Sequence, residues 1–155
     1  MAGWVTTLRF AITSGTIASA TSTIALALLS RAEGKGALQP VNSTSHWMNG
    51  RQAASFRWAD FTHTAVGYAT HHAATVFWAV LFERWVGMSR PVAALPLARD
   101  ALAMSAFAAA VDYGATPKRF TPGWEFVLSK RSMAVAYAAM ALGLASGALI
   151  NRRAR

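Results

Sequence analysis

The sequence predicts an all-α fold, an integral membrane four-helix bundle with one interfacial loop helix. Its 155 residues are 54% hydrophobic and only 14% charged, whereas a soluble domain carries about 25% charged residues. Four long stretches are nearly free of charge, and Lys or Arg brackets most of them, as these residues do beside phospholipid headgroups. We therefore interpret residues 1–155 as a single transmembrane domain, with spans at about 10–30, 61–82, 96–115 and 129–150 and an interfacial loop at 31–60.

The first two spans are uncharged along their whole length. The first lies between Arg9 and Arg31, and its 21 residues correspond to about 30 Å of helix, the thickness of the hydrocarbon core. The second lies between Asp60 and Glu83 and carries three histidines. A cleaved signal peptide is an alternative for the first stretch, but its apolar run is long and rich in Ser and Thr. A soluble bundle is disfavoured because these runs lack a polar face.

The third span requires a choice, because only 11 uncharged residues separate Asp100 from Asp112, too few to cross a bilayer. A span at 96–115 places Asp112 inside the membrane near one end. A span at 91–111 instead places the pair Arg99–Asp100 at its centre. We prefer the first, which buries one acid near an end and avoids two central charges.

The fourth span, 129–150, is followed by a basic tail. Thr121 and Pro122 form a helix-start signal ahead of it. Within the loop at 31–60, a short helix from about residue 45 to residue 56 carries aromatic and basic side chains, which is typical of helices that lie in the interface.

The net charge of +9 predicts contact with lipid and not with nucleic acid, because the basic residues form small groups at the ends of the spans. The two sides of the membrane carry nearly equal numbers of them, so the positive-inside rule decides little; the compact basic tail favours cytoplasmic termini. The residues predicted to contact lipid headgroups are Lys118, Arg119, Lys130, Arg131, Arg152 and Arg153.

Small residues at four-residue spacing mark helix-packing faces on the first and fourth spans. Such stripes let helix backbones approach closely in lipid. They predict packing within the bundle, and a homodimer face is the alternative. The stripes are Ala11, Gly15, Ser19 and Thr23 on the first span, and Ala139, Gly143 and Gly147 on the fourth.

A polar layer inside the bundle is the strongest candidate site, because an acid in hydrocarbon almost always faces a partner or water. We expect the third helix to run from about Pro96 to Tyr113, with the Asp112 carboxylate within hydrogen-bond reach of a histidine or tyrosine from the second or fourth helix. A static network that fixes the bundle and a pathway for protons or polar solutes are both compatible with this layer. Its predicted members are His63, Tyr68, His71, His72, Asp112 and Tyr137.

The sequence carries no sign of catalysis or of a metal site. It lacks cysteine, and it has no G-x-S-x-G, no H-E-x-x-H and no phosphate-binding glycine loop. His63 and His71 are about 12 Å apart along a helix, too far to share one ion. A bundle haem needs ligands from facing helices, and only the second span carries histidines. We expect no enzyme activity, no cofactor and no metal.

Several short runs resemble small uncharacterised four-span inner-membrane proteins of proteobacteria. The likeness covers most of the chain and implies a multi-pass protein of the bacterial inner membrane, with no known activity to transfer. The runs that carry it are GALQPVN at 36–42, SHW at 45–47, HTAVGY at 63–68, HH at 71–72, VDYG at 111–114 and TPGWE at 121–125.

These observations together favour a non-enzymatic accessory or envelope component of the inner membrane. The alternative is a small transporter or proton-coupled conduit that uses the histidine, aspartate and tyrosine layer. A haem-binding membrane subunit is a third hypothesis and would require pairing across a dimer. The expected partners are the lipid bilayer and either a second copy of the chain or another membrane protein.

Overall fold

The computed structural model describes residues 3–86 and 93–153, and all regular structure within those ranges is helical. Four helices are long: α1 (Trp4–Ala32), α4 (Val66–Val86), α5 (Ala94–Gly114) and α6 (Lys130–Arg153). The shorter elements are α2 (Gln39–Ser43), α3 (His46–Asn49), a 3₁₀ turn at Arg51–Ser55, a π-helical turn at Phe61–Ala65 that leads into α4, and a 3₁₀ turn at Trp124–Phe126.

Helix α1 lies at the centre of the arrangement and packs against both α4 and α6, while α5 packs mainly against α6. Three of the helices, α1, α5 and α6, are long and apolar enough to cross a membrane. Helix α4, in the second predicted span, is not among them, because its two histidines, Glu83 and Arg84 lower its mean hydropathy.

The helix boundaries in the structure agree best with the predicted bounds for the third span, and least well for the first two spans. Helix α5 (Ala94–Gly114) covers the preferred third span, whereas the start of the alternative at 91 lies outside the described residues. Helix α1 begins at Trp4 and so includes Arg9, which we had placed outside the span. Helix α4 continues to Val86, so Glu83 does not end it but lies within its last turns.

The small-residue stripes are used for packing inside the chain. A Cβ atom at Gly143 would collide with the Cα of Ala18, and one at Gly147 would collide with the Cα of Ser14, so α1 and α6 are in backbone contact there. At Gly15 the corresponding atom would lie 2.7 Å from the Cα of Val76 in α4. Glycine is therefore required where three helices meet.

The other stripe residues have mixed roles. Ala11 and Ser19 are fully buried, and the carbonyl of Ala139 accepts a hydrogen bond from the Thr21 hydroxyl at 2.9 Å. The hydroxyls of Ser19 and Thr23 are buried without a hydrogen-bond partner among the described residues.

The loop after α1 folds back over one end of the bundle instead of forming one interfacial helix. Residues 39–46 are buried, and a Cβ at Gly67 would collide with the carbonyl oxygen of Val41, so this loop touches the backbone of α4. The predicted helix at 45–56 is wrong as a single element. Gly50, at φ +76°, ends α3 and separates it from the 3₁₀ turn, a conformation that glycine adopts without strain.

The start signal at Thr121 and Pro122 is also wrong, because α6 begins only at Lys130. Gly123 has a φ of +82°, which prevents a helix from continuing through it. The cap of α6 is Ser129, whose hydroxyl accepts a hydrogen bond from the amide of Ser132 at 3.2 Å.

Glu33 ties the end of α1 to the start of α6. Its carboxylate accepts hydrogen bonds from the hydroxyls of Ser132 and Ser129, at 2.6 and 2.7 Å, and pairs with Lys35 at 3.0 Å. These contacts, the Ser132 bond first, lower the pKa of Glu33 to about 2. The carboxylate is therefore ionised at neutral pH, and the link between the two helices weakens only as the pH falls below the ordinary pKa of a glutamate.

Candidate functional site

A cavity of about 250 Å³ lies at the loop-covered end of the bundle. Its inner wall consists of buried side chains from α4 and α6, including His71, Thr75, Trp78 and Met140. At its rim the cavity reaches the exposed residues Ala74 and Phe120. At this cavity, members of the predicted polar layer meet the loops.

Asp112 projects into this cavity from the last turn of α5. The Tyr137 hydroxyl of α6 donates a hydrogen bond to its Oδ2 at 2.6 Å, which is the contact that the sequence predicted. The second oxygen, Oδ1, accepts no hydrogen bond from the described residues. Within the described ranges Asp112 also forms no ion pair, and the nearby Glu125 carboxylate acts on it electrostatically.

His71 lies on the opposite wall and is held by α1. Its Nε2 atom lies 3.0 Å from the Ser22 hydroxyl, and its ring packs edge-on against Trp124 with a centroid separation of 5.6 Å. It therefore lines the cavity with Asp112 and Tyr137 without bonding to either in the part of the chain that the structure describes.

Trp124 joins the loops to the helices of the site. Its ring lies 5.3 Å from the ring of Tyr137, and its indole N–H donates to the Thr44 hydroxyl at 3.2 Å. Gly123 permits this position, because a Cβ there would lie 2.5 Å from the carbonyl oxygen of Ser43. Trp47 likewise fixes the loop to α4 by donating to the Thr70 hydroxyl at 3.1 Å.

Three members of the predicted layer lie elsewhere, which corrects that part of the prediction. His63 hydrogen-bonds Asp60 at 2.7 Å and stacks on Phe56, so the turn ahead of α4 holds it. Tyr68 is 38% exposed and stacks on His72. Residues 68 and 72 are rotated about 100° from the inward positions 67 and 71, which is why they leave the layer.

A second polar cluster lies at the other end of the bundle, and the sequence did not predict it. Glu83, only 3% exposed, pairs with Arg152 at 3.1 Å. Its carboxylate also accepts hydrogen bonds from the hydroxyl of Ser14 and, at 3.3 Å, from the amide of Asn151. This cluster ties together α1, α4 and α6.

One signal in the sequence points to this cluster. Glu83 continues the four-residue series 67, 71, 75 and 79, all of which are buried in α4. A helix that extends beyond the charge-free run would therefore place Glu83 inside the bundle.

The basic residues assigned to lipid headgroups are exposed with one exception. The side chain of Arg152 is only 11% exposed and is used in the pair with Glu83, so this part of the prediction is wrong. Lys118, Arg119, Lys130, Arg131 and Arg153 lie at the surface, where contact with headgroups stays a prediction.

The described residues contain no group of three or more His, Asp or Glu side chains that could hold a metal ion. His46 does not approach the other histidines. Its ring nitrogens lie 3.0 Å from the Ser43 carbonyl and 3.2 Å from the Lys118 carbonyl, which fixes the two loops to each other.

No family model, no curated protein and no solved structure matches this chain. The resemblance to proteobacterial inner-membrane proteins therefore stays a prediction.

Proposed function

We propose that this is a four-span protein of the bacterial inner membrane with cytoplasmic termini, and that it binds a small molecule in the Asp112 cavity without acting on it chemically. The resemblance in sequence motivates the choice of membrane. Binding without catalysis is a specific role for the non-enzymatic accessory component that the sequence predicts.

The distribution of side chains on α4 supports a fourth span despite its low mean hydropathy. Its polar residues His71, Thr75 and Glu83 face the other helices and are buried. Its outer face carries Phe77 and Trp85, each more than half exposed. A helix that hides polar groups and presents aromatic ones suits a lipid environment, because unsatisfied polar groups are costly there.

The other three long helices also expose apolar side chains, and α1 also buries polar ones. Ile12, Leu102 and Leu142 are each more than half exposed, on α1, α5 and α6 respectively, whereas Ser14 and Ser22 are fully buried. Soluble proteins rarely expose apolar side chains around the whole circumference of a bundle. The four long helices together thus support insertion as a unit.

The observation that carries the binding role is the unpaired oxygen of Asp112 at a preformed cavity. Asp112 is half-buried, and its carboxylate has only the bond from Tyr137 among the described residues, although carboxylates withdrawn from water normally collect further hydrogen bonds or a cation. A small molecule in the cavity would supply the missing partner. Catalysis is less well supported, because no nucleophile and base are paired around Asp112 among the residues that the structure describes.

Binding is also better supported than passage across the membrane. Between the cavity and the Glu83 cluster the core is filled by Ala18, Ala79 and Leu144, all fully buried. These apolar contacts favour a site that is open at one end over a continuous polar conduit.

Cysteine chemistry tests whether the cavity admits small molecules, since the chain has no cysteine of its own. Thr75 and Ser105 are both 2% exposed, but only Thr75 lines the cavity. We expect Thr75→Cys in native membranes to react with methyl methanethiosulfonate several-fold faster than Ser105→Cys, as measured by mass spectrometry. Equal, slow modification of both variants would show that the cavity is closed, and it would refute the binding role.

A further inference from the structure

We propose that the ligand of the Asp112 cavity is a small organic cation, an ammonium group attached to one ring or a short apolar chain. This inference rests on the proposed binding function and adds the chemical class of the ligand. It depends on three features of the cavity: its charge, its aromatic walls and its size.

Asp112 is the only Asp, Glu, Lys or Arg side chain among the described residues that line the cavity. The Oδ1 atom of Asp112 accepts no hydrogen bond from the described residues. The Glu125 carboxylate lies close enough to Asp112 to interact with it. One oxygen of Glu125 accepts a hydrogen bond from the Thr121 hydroxyl. Glu125 lines a neighbouring cleft together with basic side chains, so it is the Asp112 carboxylate at the cavity wall that attracts a cation and repels an anion.

No lysine or arginine side chain lines the cavity in the part of the chain that the structure describes. Arg119 donates from Nε to the Trp47 carbonyl at 3.3 Å, and its guanidinium lies 5.9 Å from the centre of the Phe120 ring. Lys118 is exposed. Both residues lie on the outer surface of the loop, and neither forms an ion pair with Asp112 among the described contacts.

Aromatic rings form much of the remaining wall. Trp78, Trp124 and Tyr137 are buried there, and the Tyr137 ring lies beside the carboxylate that its own hydroxyl contacts. The face of such a ring attracts an ammonium group, as in the aromatic cages that bind quaternary amines. A metal cation is a poor match, because Ca²⁺ needs six to eight oxygen ligands and Mg²⁺ an octahedral set.

The volume limits the size of the cation. At about 250 Å³ the cavity is slightly smaller than the 300–1,000 Å³ that is usual for drug-sized ligands. A molecule with one ring and one ammonium group fits this limit, with the ammonium at Asp112 and the ring against Trp78.

Calorimetric titration of the purified chain in a non-ionic detergent tests the inference, with benzyltrimethylammonium as the probe. We expect the wild-type chain to bind it and Asp112→Asn to bind it about tenfold more weakly or worse, because the charged partner is lost while the shape is kept. The matched control is Asp100→Asn. Asp100 lies on the same helix as Asp112 but pairs with Arg99 and does not line the cavity. This variant should bind like the wild type.

A second titration, with phenylacetate and the wild-type chain, keeps the test decisive even if Asp112→Asn does not fold. We expect no binding of this anion. Binding of phenylacetate equal to that of the cation, or unchanged cation affinity in folded Asp112→Asn, would overturn the inference. Absence of cation binding while Thr75→Cys still reacts would refute the choice of ligand alone, whereas failure of both experiments would refute the proposed function as well.

Discussion

Replacement of Arg152 by alanine should lower the free energy of unfolding by about 3–5 kcal/mol, the usual result of leaving one member of a buried ion pair without its partner. The Glu83 side chain is 1% exposed and that of Arg152 is 11% exposed, so solvent screens the pair little. Without Arg152, the described residues would stabilise the negative charge of Glu83 only through the hydrogen bonds from Ser14 and Asn151. Denaturant titration in detergent micelles measures the loss.

Arg153→Ala is the matched control for this prediction, because Arg153 is the next residue along α6 and is exposed. Its removal should change stability by less than about 0.5 kcal/mol. The double variant Glu83→Met with Arg152→Met should recover part of the loss, since apolar residues of similar size often replace a buried pair without cost. If Arg152→Ala were as stable as Arg153→Ala, the pair would not hold the three helices together.

The second large effect is expected from Gly143→Ala. The added methyl group would collide with the Cα of Ala18, and a backbone atom cannot rotate aside, so α1 and α6 would have to separate. We expect a loss of about 3 kcal/mol, at the upper end of the range for overpacking, and a larger loss when Gly147→Ala is added. The same unfolding titration measures both variants.

Gly114→Ala provides the control for that result. Gly114 is the last residue of α5, and a Cβ there would meet nothing within 4 Å. Because alanine favours a helix more than glycine does, this variant should be unchanged or slightly more stable. Equal stability of Gly143→Ala and Gly114→Ala would contradict the close approach of α1 and α6.

The sequence alone was sufficient to predict the long helices and one contact of the site. Charge-free runs and their flanking charges located the helices. The unusual position of Asp112 near the end of one run predicted a hydrogen bond with a histidine or tyrosine of the second or fourth helix, and the partner is Tyr137 at 2.6 Å. That contact was predictable because only a few polar side chains at a similar depth could meet the acid.

The other contacts of the site depend on how each helix is rotated about its axis and on where it ends. Counting charges along the sequence reveals neither. Charge counting makes Glu83 a boundary, yet α4 continues to Val86, and Arg152 on α6 supplies the opposite charge. The rotation of α4 turns His71 inward and Tyr68 outward. In this orientation Gly67 contacts the Val41 carbonyl, a long-range contact that local sequence patterns do not show.

The path of α4 is central to the account, and the reaction of two single-cysteine variants with a membrane-impermeant maleimide tests it most directly. Trp58 is exposed ahead of α4, and Ala93 is exposed at the start of α5. If α4 crosses the membrane and the termini are cytoplasmic, Trp58→Cys should react in intact cells and Ala93→Cys only after the cells are opened. Reaction of both variants under the same condition would place the two ends of α4 on one side and contradict the four-span account.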